Sequence, residues 1–130
     1  VSATTIYRVE RRRHHDGPYN PQTTSVRVRR LASRLARAHG WGDVNEHPNP
    51  YNDGAGNPRS SERCGFESME SLRAWFDGWW RALGAAGFGV ATYELSESGV
   101  RRGRRQVLFA WRAEERKSWA TFTSLGLTGK

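Results

Sequence analysis

The side chains able to do chemistry fall in three short clusters. His14, His15 and Asp16 are consecutive, His47 and Asp53 flank Tyr51 in a proline-rich stretch, and Cys64 is the single cysteine. A structural zinc site needs three or four ligands converging with tetrahedral geometry, in recurrent Cys and His spacings. This spacing matches none of them, so no metal is expected. His14 and His15 read as residues of a solvated turn beside Asp16-Gly17-Pro18. His47, Tyr51 and Asp53 can form a ligand pocket with Arg8 and Tyr19, because loops carry binding residues more often than cores do. The competing reading makes Pro48 and Pro50 an extended crossing and Asp53-Gly54 a turn. Cys64 precedes an expected helix N-terminus, which lowers a thiol's pKa. Spacing places no His or Asn partner beside it, so it reads as a small buried residue. No catalytic residue follows from these patterns.

The second chemical feature is arginine. The net charge is +8, and Lys117 and Lys130 are the only lysines. Guanidinium groups favour planar, bidentate partners such as phosphates and carboxylates. Arg27, Arg30, Arg34 and Arg37 form one expected basic patch, and Arg101, Arg102, Arg104 and Arg105 a second. An acidic partner is expected, whether an acidic protein face, nucleic acid or a phosphorylated small molecule; the competing reading is a solvated surface set by codon bias. No helix-turn-helix, zinc-finger or RNA-recognition signature accompanies the patches, so sequence-specific DNA reading is not expected.

The elements that must position these groups follow from periodicity. Residues Thr4–Arg11 alternate as a strand, with Ile6, Arg8 and Glu10 on one face and Tyr7 and Val9 on the other. Val28, Leu31 and Leu35 recur at helical spacing within Ser25–His39, and arginines take the opposite face. Residues 42–63 read as a long irregular loop. Ser68 is an N-cap for a second helix, in which Leu72, Trp75, Phe76, Trp79, Trp80 and Leu83 recur at i, i+3, i+4, i+7, i+8 and i+11. Gly78 weakens that helix, and Gly84 and Gly87 end it. Four large aromatics on one helix can overfill a small core, which nominates Trp80 as an exposed partner-binding anchor. Phe88–Leu95 and Gln106–Trp111 alternate as strands and are expected to pair antiparallel. The tail 113–130 reads as a short helix or a loose strand.

At 130 residues the chain is expected to be one domain. The expected class is α+β, a small antiparallel or mixed sheet with two main helices packed on one face. Hydrophobic residues make up only 36%, but 12% aromatic content can still supply a core. One cysteine excludes an internal disulfide framework and fits a reducing compartment. No apolar run approaches the length of a membrane span, and the start lacks a signal-peptide pattern. A cytoplasmic location is expected, in whichever cell makes the protein.

Several phrases in order along the chain carry a resemblance: IYRVE at Ile6–Glu10, GPY at Gly17–Tyr19, HPNPYND at His47–Asp53, CGFESMESLRAWF at Cys64–Phe76, GFGVATYE at Gly87–Glu94 and GRRQVLF at Gly103–Phe109. Together they resemble a family of small phage-encoded proteins of unknown function. The resemblance implies phage origin, a small α+β fold, and an accessory role in which a host component is bound and modulated, as a host-protein inhibitor or counter-defence factor. The chain is also similar to ADP-ribosyltransferase-like folds, through a first strand whose polar residue contacts NAD. That similarity implies NAD as cofactor, held by Arg8 and Tyr19, with Gln106 orienting the ribose or the acceptor. Leu108 stands where the catalytic glutamate of such folds belongs, which leaves Glu94 as the candidate substitute.

Overall fold

The computed structural model describes residues 3–40 and 46–128. The chain forms β1 (Ala3–Arg11), α1 (Val26–Ala38), α2 (Pro50–Asp53), β2 (Glu62–Gly65), α3 (Met69–Trp75), α4 (Trp80–Ala85), β3 (Phe88–Ser96), β4 (Val100–Arg102), β5 (Val107–Ala110) and β6 (Arg116–Ala120). Two antiparallel three-stranded sheets result, one ordered β1-β3-β6 and the other β2-β5-β4. The fold is α+β, as expected. Reciprocal backbone bonds between Tyr7 and Phe66, at 2.7 and 2.8 Å, tie the two sheets together at β1 and the end of β2.

Strand β1 explains why there are two cores. Its register with β3 sets Val9 opposite Val90 and Ile6 opposite Tyr93. Side chains alternate across a strand, so Val9 and Val90 join the helices while Ile6 and Tyr93 face the second sheet. The helix-side core gathers Leu31 and Leu35 of α1, Leu72 and Trp75 of α3, and Trp80 and Leu83 of α4. The inter-sheet core gathers Ala91, Tyr93, Leu95, Val100, Val107 and Phe109 around Ile6.

Caps set the helix starts. The Ser25 hydroxyl accepts from Val28 N at 3.4 Å and the Ser68 hydroxyl from Ser71 N at 3.1 Å, each satisfying an otherwise orphaned donor. Four expectations are corrected. The helix expected through Leu83 is broken, because Gly78 lies in the left-handed region at φ +87° and redirects the chain between α3 and α4. The apolar spacing survives the break, since both short helices deliver their aromatics to the same core. The second correction concerns pairing. β3 lies between β1 and β6, and β5 between β2 and β4. The connection after β3 forms its own strand, β4, which takes the edge of β5. Both faces of β3 are apolar and place it inside.

The third correction concerns the stretch 42–63. Residues 42–45 lie outside the described residues, but α2 and the start of β2 structure the remainder. Asn49 caps α2 by accepting from Asn52 N at 2.8 Å. Fourth, the tail is docked: β6 completes the first sheet, and Phe122 and Leu127 are buried in the helix-side core. Among the described residues, no helix is long and apolar enough to cross a membrane.

Candidate functional site

Buried Glu10 anchors the base of the site. One carboxylate oxygen takes the Tyr93 hydroxyl at 2.7 Å and Arg116 Nη1 at 3.0 Å, and the other takes Arg8 Nε at 3.0 Å. A fully buried carboxylate is tolerable only when paired and hydrogen-bonded in this way. The pairing holds the Arg8 guanidinium rigid, and its Nη1 reaches across to the Cys64 carbonyl at 2.8 Å. Strand alternation thus presents Arg8 to the junction of β1 and β2, where the turn Gly17–Tyr19 passes over it.

That junction opens as a depression with two lobes. The aromatic lobe, about 340 Å³, is lined by Tyr19, Ala36, His39, His47, Pro48, Asn49, Pro50, Cys64, Trp75 and Gln106. The arginine lobe, about 330 Å³, is lined by Arg8, Asp16, Gly17, Pro18, Tyr19, Asn20, Gln22, Arg63 and Cys64. Tyr19 and Cys64 belong to both.

A chain of side chains builds the aromatic lobe. Trp75 Nε1 donates to the Tyr19 hydroxyl at 2.7 Å, and that hydroxyl bonds in turn to His39 Nδ1. His39 stacks face to face on His47, whose Nε2 lies 2.9 Å from the Trp75 carbonyl. The Gln106 amide donates to the Pro48 carbonyl at 2.7 Å and holds the proline stretch against β5. The lobe is electrically quiet. Burial, together with the neighbouring His47, lowers the His39 pKa to about 4. Burial pushes the Tyr19 phenol and the Cys64 thiol above their ordinary values. All three are neutral near pH 7, an environment for a flat, uncharged group rather than for a nucleophile.

The arginine lobe differs. Asp16 is spent on Arg11, whose Nε and Nη2 donate to it at 2.7 and 2.8 Å, and on Gln22 N. Those bonds hold its carboxyl below the usual range against the opposing effect of burial. Arg63 bonds to the His15 carbonyl, and its guanidinium stands 3.7 Å from the centre of the Trp111 ring. Among the described residues it has no carboxylate in ion-pair range. Burial and the like charge of Arg8 pull its pKa down.

Residues 4–123 match the family model described as Bacteriophage T4 Y00F protein. The chain belongs to that family. No curated protein and no solved structure matches it. The family's span runs from β1 past β6 and so contains both lobes.

The sequence-derived sites separate cleanly. Arg8, Tyr19 and Gln106 converge on the two-lobed depression, and His47 joins them. Tyr51 is 66% exposed on α2 and lines neither lobe. Asp53 is 1% exposed and cannot meet a partner: its carboxylate accepts from the backbone N–H groups of Arg105 and Gln106 at 3.0 and 2.9 Å, closing the β4–β5 turn. Gly103 is required there, since a Cβ would collide with Asp53 Oδ2. Trp80 is 5% exposed against Phe122 and Phe76, so it is core rather than anchor.

His15 also departs from expectation. It is half-buried edge-on to Trp111, 3.7 Å from Glu10, while His14 is exposed. Cys64 lies within β2, and its thiol is raised rather than activated. Among the described residues, no group of three or more His, Cys, Asp or Glu is placed to hold a metal ion. Leu108 is fully buried, and Glu94 is exposed on the strand face opposite Tyr93. Three further residues of the site, His39, Trp75 and Arg63, are not nominated as such by the sequence patterns. His39 was traceable, because it extends the apolar series Leu31, Leu35 by four residues onto the packed side of α1.

The two arginine patches also part. Arg101 is bound by Glu62 and by the Ala55 and Asn57 carbonyls, and Arg102 by Glu67 and Glu97. Arg104 and Arg105 are exposed, with their backbone N–H groups committed to Asp53. On α1, Arg34 lies over the Trp79 ring at 5.8 Å. Arg27, Arg30 and Arg37 are exposed, and among the described residues no carboxylate pairs with them.

Proposed function

We propose that this phage-family protein is an accessory factor that binds an acidic host macromolecule inside the infected cell, through the outer face of α1. The supporting observation is the unequal fate of the two arginine patches. Arg101 and Arg102 are neutralised within the fold, whereas Arg27, Arg30 and Arg37 stand on one helix face with no acid paired to them among the described residues. Exposed, unspent guanidinium groups steer an oppositely charged partner and pair with it bidentately. A host protein with an acidic face is the partner favoured here.

The test is retention of host components on the immobilised protein from nuclease-treated lysate, with an Arg30→Ala/Arg37→Ala pair as control. Arg34 is left intact because it packs on Trp79. Loss of a stoichiometric host protein in the double variant is the expected result. Retention indifferent to the pair overturns the reading, and retention abolished by nuclease reassigns the acidic partner to nucleic acid.

A second reading, NAD-dependent ADP-ribosyl transfer, is favoured by one observation: Arg8 and Gln106 line two adjoining lobes that share Tyr19 and Cys64. Against it, no carboxylate lines the aromatic lobe among the described residues, and an oxocarbenium-like transition state draws its main stabilisation from such a charge. A thermal shift with NAD, lost in Arg8→Ala, together with a modified host protein, is what this reading requires.

A further inference from the structure

We propose that the two lobes meeting at Tyr19 and Cys64 form a binding site for a nucleoside monophosphate group, with the base in the aromatic lobe and the phosphate against Arg63 and Arg8. The proposal is independent of the α1 face and of any group transfer. It rests on chemical asymmetry between two cavities that share a wall.

The aromatic lobe offers what a base needs. Its walls are the Trp75, His39 and His47 rings and the prolines, and its rim is the 41%-exposed Tyr19. Its polar groups are few. Tyr19 and His39 already satisfy each other, and Gln106 has given its amide N–H to Pro48. At about 340 Å³ it lies at the small end of ligand sites, enough for one heterocycle and its sugar.

The arginine lobe offers what a phosphate needs. Arg8 is held by Glu10 and Cys64, and Arg63 is held from behind by Trp111. Both guanidinium groups are therefore fixed before any ligand arrives, which lowers the ordering cost of binding. The negative groups nearby are Glu10, shared by Arg8 and Arg116, and Asp16, paired with Arg11. Among the described residues Arg63 has no carboxylate in ion-pair range, and it stands next to the like charge of Arg8. A phosphate between them relieves that repulsion and takes planar, bidentate hydrogen bonds. Asn20 and Gln22 stand on the rim as further amide donors.

The chemistry is shared by a free nucleotide and by one unstacked residue of a single-stranded nucleic acid. Isothermal titration of the full chain with AMP, GMP, CMP and UMP, their parent nucleosides and a single-stranded oligoribonucleotide resolves the two. The expected result is that at least one nucleotide binds about tenfold tighter than its nucleoside. Arg63→Gln reduces the nucleotide to nucleoside level, and Ala36→Phe, which fills the aromatic lobe from its rim, excludes both. Should Arg63→Gln fail to fold, Asn20→Asp carries the same test, since a carboxylate at that exposed position repels the phosphate but spares the nucleoside. Tighter binding of the oligonucleotide assigns the source to nucleic acid, and equal binding assigns it to free nucleotide. No binding at about 1 mM, nucleoside equal to nucleotide, or indifference to the lobe variants overturns the proposal. The Arg30→Ala/Arg37→Ala pair leaves this titration unchanged, so failure here and failure of the α1 reading are separable.

Discussion

His39 and His47 stack with ring centroids 3.6 Å apart and planes 6° from parallel, one at the end of α1 and the other in the stretch leading to α2. Two imidazoles in that contact cannot both carry a proton without strong repulsion, and burial already disfavours the charged form of His39. Protonating His39 therefore weakens the contact that joins the two elements.

Stability should fall as pH drops below neutrality. The folded His39 pKa is about 4 against an ordinary value of 6.5. The unfolded chain thus binds a proton between those values that the folded chain refuses. The contribution is complete above about pH 7 and is lost progressively as pH falls from about 6.5 towards 4. Between pH 7.5 and pH 5 the loss is about 2 kcal/mol, read as a lower urea midpoint. His39→Gln, which keeps an acceptor for Tyr19, should flatten that slope.

The α1 surface should be separable from stability. Arg30→Ala/Arg37→Ala removes exposed, internally unpaired charges, so the unfolding free energy should change by no more than about 0.5 kcal/mol. Partner binding should weaken and lose much of its salt dependence. Parallel denaturation and binding curves at low and high salt check this.

Asp53 should behave as a structural residue. Asp53→Ala leaves the Arg105 and Gln106 N–H groups without their buried acceptor, at a cost of about 2–4 kcal/mol. Asp53→Asn keeps one acceptor oxygen and should cost less. Urea titration of both variants is the measurement, and a neutral Asp53→Ala would contradict this role.

Gly78 should resist replacement through conformation alone. Nothing lies within 4 Å of a Cβ built there, yet its φ is +87°. Gly78→Ala should cost about 1–2 kcal/mol and lower the melting temperature, whereas alanine at an exposed position inside α3 should not.

The sequence by itself determined the α+β class, the strand faces of β1, the capped start of α3 and the likeness to a small phage protein family. Each is a local property, written in alternation, in 3.6-residue recurrence or in a hydroxyl placed before a helix. Arg8, Tyr19 and Gln106 were visible too, though only as separate residues. The tertiary structure alone decided that these three share one depression, because β1, the Gly17–Tyr19 turn and β5 meet only through the pairing of Tyr7 with Phe66 and the packing of β2 on β5. It also decided which arginines are spent, since the acids that neutralise Arg101 and Arg102 include residues 39 and 35 positions away in the chain. Burial sorted Asp53 and Trp80 inward and raised the Cys64 thiol. Periodicity reports which face of an element is apolar; which face meets which partner depends on long-range pairing that no local pattern encodes.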